Sequence, residues 1–379
     1  MSSGYIFDEY NKMSDEAHAK AEGRVLKKKE EPDIIADRAS HGGDIYRNRV
    51  RLDFSVSLNP MPLPQSVMDA ALIGLSEMHQ YPDPVQQKLR ESIASVENAA
   101  VRNVICSSGA SELLMSVCHA FRPRRALVTA PCYSGYERAL SAVGAEIIRY
   151  PLDENNGFRL DDGLLYTLPG EDIDMVILAD PNNPDGKLMD AKLKRRLADV
   201  CDGMGITLVI DECFLPLTVR GLESDPIRGS ALHLRAFTKS FAMPGIRIGY
   251  VLSADTKKLS EISRHLPEWN VSRIAERAGE AAAEVMRNTS YMKNSVTYIN
   301  AERRRLMQGL GMMGIKFYDS DANFILFRSK PGLYQKLLSR GIMIRRCSDY
   351  NGLDDSYYRI AVRNREDNDV LLRTLKEIL

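Results

Sequence analysis

Residues 205–250 read GITLVIDECFLPLTVRGLESDPIRGSALHLRAFTKSFAMPGIRIGY. Within this stretch ITLVI is a short β-branched apolar run, the pattern of a strand buried on both faces of a parallel sheet. It delivers Asp211 and Glu212 at its C-terminal end, where open α/β sheets place their ligand chemistry. A second apolar run, from Ala231 to Phe237, ends at Thr238 and Lys239, with Pro244, Gly245 and Arg247 close behind. A carboxylate and a lysine are thereby expected at neighbouring strand ends, with an arginine nearby.

One chemistry uses all three groups. Pyridoxal phosphate needs a lysine for its imine, a carboxylate to keep the pyridine nitrogen protonated, and a cation for its phosphate. Lys239, Asp211 and Arg247 are the candidates. A surface lysine or an acidic helix cap explains any one of them but not the set.

Working outward, residues 81–271 alternate helical and strand patterns, which predicts an α/β fold with a mainly parallel sheet between helices. Residues 272–379 read as a linking helix from Arg273 to Leu310 and a smaller α+β domain. Residues 41–80 form an N-terminal segment that joins the small domain. Residues 1–40 form a polar extension or arm. A chain of 379 residues that is 44% hydrophobic can bury a large core. A formal net charge of zero gives no reason to expect a nucleic acid or a membrane surface as partner. The N-terminus lacks an apolar leader, and a cytoplasmic protein is expected. The six cysteines (Cys106, Cys118, Cys132, Cys201, Cys213 and Cys347) show no CxxC spacing, and with scattered histidines they predict reduced thiols and no metal site.

Three further loops follow predicted strands. In CSSGASELL, Ser108, Gly109, Ala110 and Ser111 precede a helix, so free backbone N–H groups would face an anion. APCYSGY places Tyr133 where an aromatic could stack on a flat ring; core packing is the simpler alternative. DPNNPDG offers Asn182 and Asn183 in a turn stiffened by prolines, where an amide can donate to a phenolate oxygen.

SSGASE, PNNPDG, VIDECF, TKSFAMPGIRIGY and YYRIAVR together resemble the fold-type-I pyridoxal-phosphate enzymes of the class I/II aminotransferase superfamily. Within it the chain is most similar to the group containing histidinol-phosphate aminotransferase and threonine-phosphate decarboxylase. The resemblance implies that Lys239 carries the cofactor and acts as general base, Asp211 partners the pyridine nitrogen and Asn183 donates to the ring O3'. It further implies that Tyr133 stacks on the ring and that Gly109, Ala110 and Arg247 bind phosphate. Thr238 or Ser111 would supply the phosphate hydroxyl that Ala236 lacks. Arg359 matches the arginine for the substrate α-carboxylate. Tyr81 matches a tyrosine that reaches the phosphate in a neighbouring subunit, which implies a homodimer with shared sites.

HGGDIY, HLPEWNVS with its single Trp269, and Phe214 in place of a tyrosine lean toward the decarboxylases and a phosphorylated amino-acid substrate. His41, Arg345 and Arg346 are candidate cations for the substrate phosphate. Without a tyrosine at 214, the imine is expected to hold its proton to higher pH. Asp185 replaces the threonine of PNNPTG and is expected to point away from the phosphate. The alternatives are an aminotransferase that uses 2-oxoglutarate and a catalytically silent scaffold.

Overall fold

The computed structural model describes residues 42–223 and 229–379, so the extension at 1–40 and His41 lie outside the described residues. After the short strand β1 (Leu52–Asp53) come helices α1 (Gln65–Ser76) and α2 (Gln87–Val96). There follow β2 (Val104–Ser107), α3 (Ala110–Phe121), β3 (Arg125–Ala130), α4 (Ser134–Ala142) and β4 (Glu146–Pro151). Next are β5 (Met175–Ala179), α5 (Ala191–Met204), β6 (Thr207–Asp211), β7 (Leu232–Ala236) and β8 (Gly249–Leu252).

The main sheet has seven strands in the order β2-β8-β7-β6-β5-β3-β4. The ladders from β7 through β6, β5 and β3 to β4 are parallel, and β8 runs antiparallel to both β7 and β2. Every residue of β5, MVILA, is buried, as expected for a central strand covered on both faces. Because β6 and β7 are adjacent and parallel, with Asp211 opposite Leu234, both strands open onto the same edge of the sheet. Asp211 ends β6, and the helical turn Phe237–Ser240 that carries Lys239 follows β7 directly.

The C-terminal part contains α6 (Arg273–Asn288), α7 (Tyr291–Met312), β9 (Phe324–Arg328), β10 (Ile342–Met343), β11 (Arg345–Arg346), β12 (Tyr357–Ala361) and α8 (Arg365–Ile378). Strands β11, β12 and β9 form an antiparallel sheet, and β1 pairs in parallel with β10. The single helix expected from Arg273 to Leu310 is two helices. Thr289 adopts extended backbone (φ −134°, ψ 167°), and its hydroxyl donates to Val285 O at 2.8 Å while accepting from Tyr291 N at 3.1 Å. That local bonding replaces the helical ladder and starts a new helix.

Nor does the packing change at the expected boundary between residues 271 and 272. Ala275, Ala278, Ala282 and Ala283 of α6 are buried in one core with Leu89, Cys106, Phe237 and Tyr250. Gly74 of α1 allows α6 to lie against it, since a Cβ there would stand 2.7 Å from Arg273 O. The change falls inside α7. Met292 and Ile299 lie in the large-sheet core, whereas Leu306 and Leu310 join Phe54, Phe327, Ile360 and Leu371 in the C-terminal core.

Candidate active site

At the shared edge, Asp211 is held by two donors: Tyr136 Oη to Oδ2 at 2.7 Å and Cys213 N to Oδ1 at 3.0 Å. Tyr136 is buried, and burial with the adjacent carboxylate raises its phenol well above the ordinary value, so it stays a donor. The neighbouring acid plays a different part. Glu212 is buried and takes Lys194 Nζ at 2.6 Å, His233 Nδ1 at 2.9 Å and Arg235 Nε at 2.8 Å. Burial opposes its ionisation, but Arg235, His233 and Lys194 outweigh burial and hold it well below the usual carboxylate range. Glu212 fastens β6, β7 and α5 together beneath the edge, while Asp211 faces the site.

The Lys239 amine is half-buried, 5.7 Å from the centroid of the Phe214 ring. Burial, aided by the nearby Arg359 and Arg247 cations, lowers it to about 8. Phe214 packs edge-on against Phe324, with centroids 4.9 Å apart, so it supplies an apolar wall without a hydroxyl.

The loop between β2 and α3 has the shape of a cradle. Gly109 has φ +88°, and a Cβ there would lie 2.6 Å from Arg247 Nη2, so glycine lets the exposed guanidinium approach the helix N-terminus. Gly249 plays a similar part beneath it, because a Cβ would stand 2.5 Å from Ala110 N. Ser108 N is taken by Glu112 Oε2 at 2.7 Å, and Ser111 is exposed and shares a hydrogen bond with Tyr133. Thr238 is buried beside Lys239. The Tyr133 ring folds back over Gly135 and meets Tyr136 edge-on at 5.4 Å.

Asn183 couples this edge to the small sheet. Its Oδ1 accepts from Arg359 Nη1 and from Tyr350 Oη, the latter at 3.2 Å, which leaves its amide nitrogen for another partner. Arg359 is buried, donates through Nη2 to Ser55 O at 3.1 Å, and keeps a buried Nε with no partner among the described residues. Asp185 is fully buried inside its own turn, bonded to Asn182 Nδ2 and to Lys187 N at 2.9 Å.

Arg345 and Arg346 part company. Arg345 pairs directly with Arg359 across β11 and β12, is buried, and bonds Asp349 Oδ2 at 2.6 Å with its guanidinium 5.1 Å from the Tyr350 ring centroid. Arg346 opposes Tyr358 on the other face of the strand, exposed and 4.8 Å from the Tyr334 ring centroid. The alternation of a strand separates them, so Arg346 is not a neighbour of Arg359. Tyr81 stands 79% exposed, away from the core.

Sequence reasoning missed Tyr136, Cys213 and Tyr350. Tyr136 lies three residues after Tyr133, in the first turn of α4, which Tyr133 immediately precedes. Tyr350 gave no signal, because it reaches Asn183 only through the fold.

The residues fit a phosphate-bearing pyridine ring: a cradle where a Cβ would collide with an arginine, a fixed carboxylate, and a lysine whose amine is partly neutral near pH 8. Fold and site together define a pyridoxal-phosphate-dependent enzyme of fold type I. The chain belongs to the aminotransferase class I and II family, whose model matches residues 50–375. Threonine-phosphate decarboxylase of Salmonella typhimurium is 32% identical over 90% of this chain and 97% of its own. Histidinol-phosphate aminotransferase of Chlorobaculum parvum is 29% identical over 88% of this chain and 95% of its own. The solved histidinol-phosphate aminotransferase from Clostridium acetobutylicum superposes with a TM-score of 0.78 at 30% identity, covering 86% of this chain and 98% of that one. No helix among the described residues is long and apolar enough to cross a membrane.

Proposed function

We propose that the protein decarboxylates a phosphorylated L-amino acid, with O-phospho-L-threonine as the preferred substrate. The observation that carries this is the direct cross-strand pairing of two buried arginines, Arg345 and Arg359, the second of which lies close enough to Lys239 to act on its amine. Like charges opposite one another on a ladder are unfavourable unless anions lie between or beside them. Asp349 supplies one such anion. A substrate with both a carboxylate and a phosphate supplies the others.

Pyridoxal phosphate, when bound, would supply an electron sink for the bond that breaks at Cα. Gly109, Ala110 and Arg247 would hold its phosphate, Asn183 its phenolate oxygen, Tyr133 its ring face and Asp211 its pyridine nitrogen. Tyr136 and Cys213 N keep the Asp211 carboxylate aimed. Lys239, partly neutral near pH 8, accepts and returns the proton at Nζ. Arg359 and Arg345 orient the substrate, and the torsion they impose selects between loss of carbon dioxide and loss of the Cα proton. Tyr81 would serve the site of a neighbouring copy, in a homodimer with shared sites. The likeness to a histidinol-phosphate aminotransferase of 30% identity favours transamination as the second reading.

A single turnover of the loaded enzyme with O-phospho-L-threonine separates the two. Release of carbon dioxide with the starting cofactor spectrum restored supports the decarboxylase. Accumulation of the amine form of the cofactor without carbon dioxide, reversed by a 2-oxo acid, supports transamination.

A further inference from the structure

Trp269 and Tyr81 form an aromatic pair at the surface, with ring centroids 4.8 Å apart and planes inclined by 36°. The single chain leaves both in solvent, Tyr81 79% and Trp269 43% exposed. Trp269 has φ +54°, the left-handed region that a bulky side chain rarely adopts. Such a conformation persists only where the surroundings over-determine it, and it clusters where a side chain must be aimed.

The surroundings do so here. The adjacent Asn270 is held at both ends of its amide: Oδ1 accepts from Gln86 Nε2 at 2.8 Å, and Nδ2 donates to Glu112 Oε2 at 2.8 Å. That same oxygen accepts from Ser108 N in the expected phosphate cradle. Ser272 then caps α6, accepting from Ala275 N at 3.2 Å. On the other side, Asp83 N donates at 3.0 Å to the buried Glu276 of α6, which fixes the chain two residues beyond Tyr81. Both rings therefore rise from supports tied to one helix, and one of those supports is continuous with the chain's own cradle.

We propose that Trp269 is a positioning residue for the subunit pair: by packing its tilted ring against Tyr81 it aims the Tyr81 hydroxyl at the cofactor-phosphate site of a second copy of this chain. The inference rests on the reading above that Tyr81 serves a neighbouring site. An exposed tyrosine that had to find its rotamer during association would lose side-chain entropy at that step. Packing against a backbone-fixed indole orders the ring beforehand.

The test uses mixed dimers purified through two tags, in which one subunit carries Lys239→Ala so that the imine forms only in the other. Trp269→Ala on the Lys239→Ala subunit should raise the cofactor dissociation constant at the intact-lysine site about tenfold, the effect of one phosphate hydrogen bond. The same change on the intact-lysine subunit should leave that constant at its parent value. Trp269→Phe, which keeps an aromatic ring, should recover most of the loss. A defect confined to the subunit that carries Trp269→Ala would overturn the proposal. So would no effect in either arrangement, or dissociation of the dimer, which would make Trp269 an interface anchor. If Trp269→Ala does not fold, Trp269→Leu fills the volume without a flat face and is read in the same way. Tyr81→Phe in the same two arrangements isolates the underlying reading. If its defect stays in its own subunit, that reading fails; if it acts across the dimer while the Trp269 variants do not, only the role of Trp269 fails.

Discussion

The Tyr136 hydroxyl donates to Asp211 Oδ2 across 2.7 Å, joining α4 to the end of β6. A hydrogen bond to a charged group contributes about 1.5–3 kcal/mol. Tyr136→Phe is therefore expected to lower kcat by about tenfold to a hundredfold. It should do so without loss of cofactor, because no phosphate contact changes. Steady-state kinetics alongside an absorbance measurement of bound cofactor checks both halves of the expectation.

Lys239 offers a second test. Burial and the Arg359 cation bring its amine to about 8, whereas an exposed lysine titrates near ~10.4. In cofactor-free protein, reductive alkylation with a small aldehyde should modify Lys239 with a midpoint near pH 8, ahead of the surface lysines. Mass spectrometry of the labelled peptides across pH 6–11 reads this directly; a midpoint with the bulk lysines would contradict the electrostatics of the site.

The apolar runs of β5 and β6 made the parallel sheet legible, because strands buried on both faces need continuous hydrophobic sequence. Asp211, Lys239, Gly109 and Asn183 were legible because each sits at a strand end or tight turn next to such a run. Tyr350 and Ser55 were not, since they meet Asn183 and Arg359 through pairings distant in sequence. Arg345 and Arg346 were nominated together, and only the strand register assigns them to opposite faces. The break at Thr289 was hidden because helical periodicity continues on both sides of one residue whose hydroxyl captures the backbone.

Asp185 gives the fold a pH dependence. Full burial raises its carboxyl to about 7, above the ~3.9 of an unfolded chain. Between those values the folded chain binds a proton that the unfolded chain has lost, so stability falls as pH rises from about 4 to about 7 and then levels. Asp185→Thr should remove that component and gain on the order of 2 kcal/mol relative to the parent at pH 8 compared with pH 5. Urea unfolding of both proteins at the two pH values measures the difference; equal slopes would place the Asp185 proton elsewhere.

Glu212 should matter to stability more than to chemistry. Glu212→Gln leaves the half-buried Lys194 and Arg235 with one anion fewer at a buried position, a change that costs about 3 kcal/mol. The expected result is a lower urea midpoint, with residual folded protein that still binds cofactor because Asp211 keeps its own donors.

Phe214 bears on the reaction itself. Its ring centroid lies 5.7 Å from Lys239 Nζ and the ring packs edge-on against Phe324, so this side of the site presents carbon and no hydroxyl. A phenolic donor near the cofactor's O3' would stabilise the phenolate left behind when the imine loses its proton. Its absence makes that loss harder. Phe214→Tyr should therefore lower the midpoint of the absorbance titration of the loaded enzyme, by about one unit if the new hydroxyl makes one ordinary hydrogen bond. The change adds one oxygen at the rim of a ring that is already half-buried, so a modest loss of stability is expected beside it. An unchanged or raised midpoint would mean that the phenol cannot reach the oxygen from this backbone, and that Asn183 alone sets the proton affinity of the site.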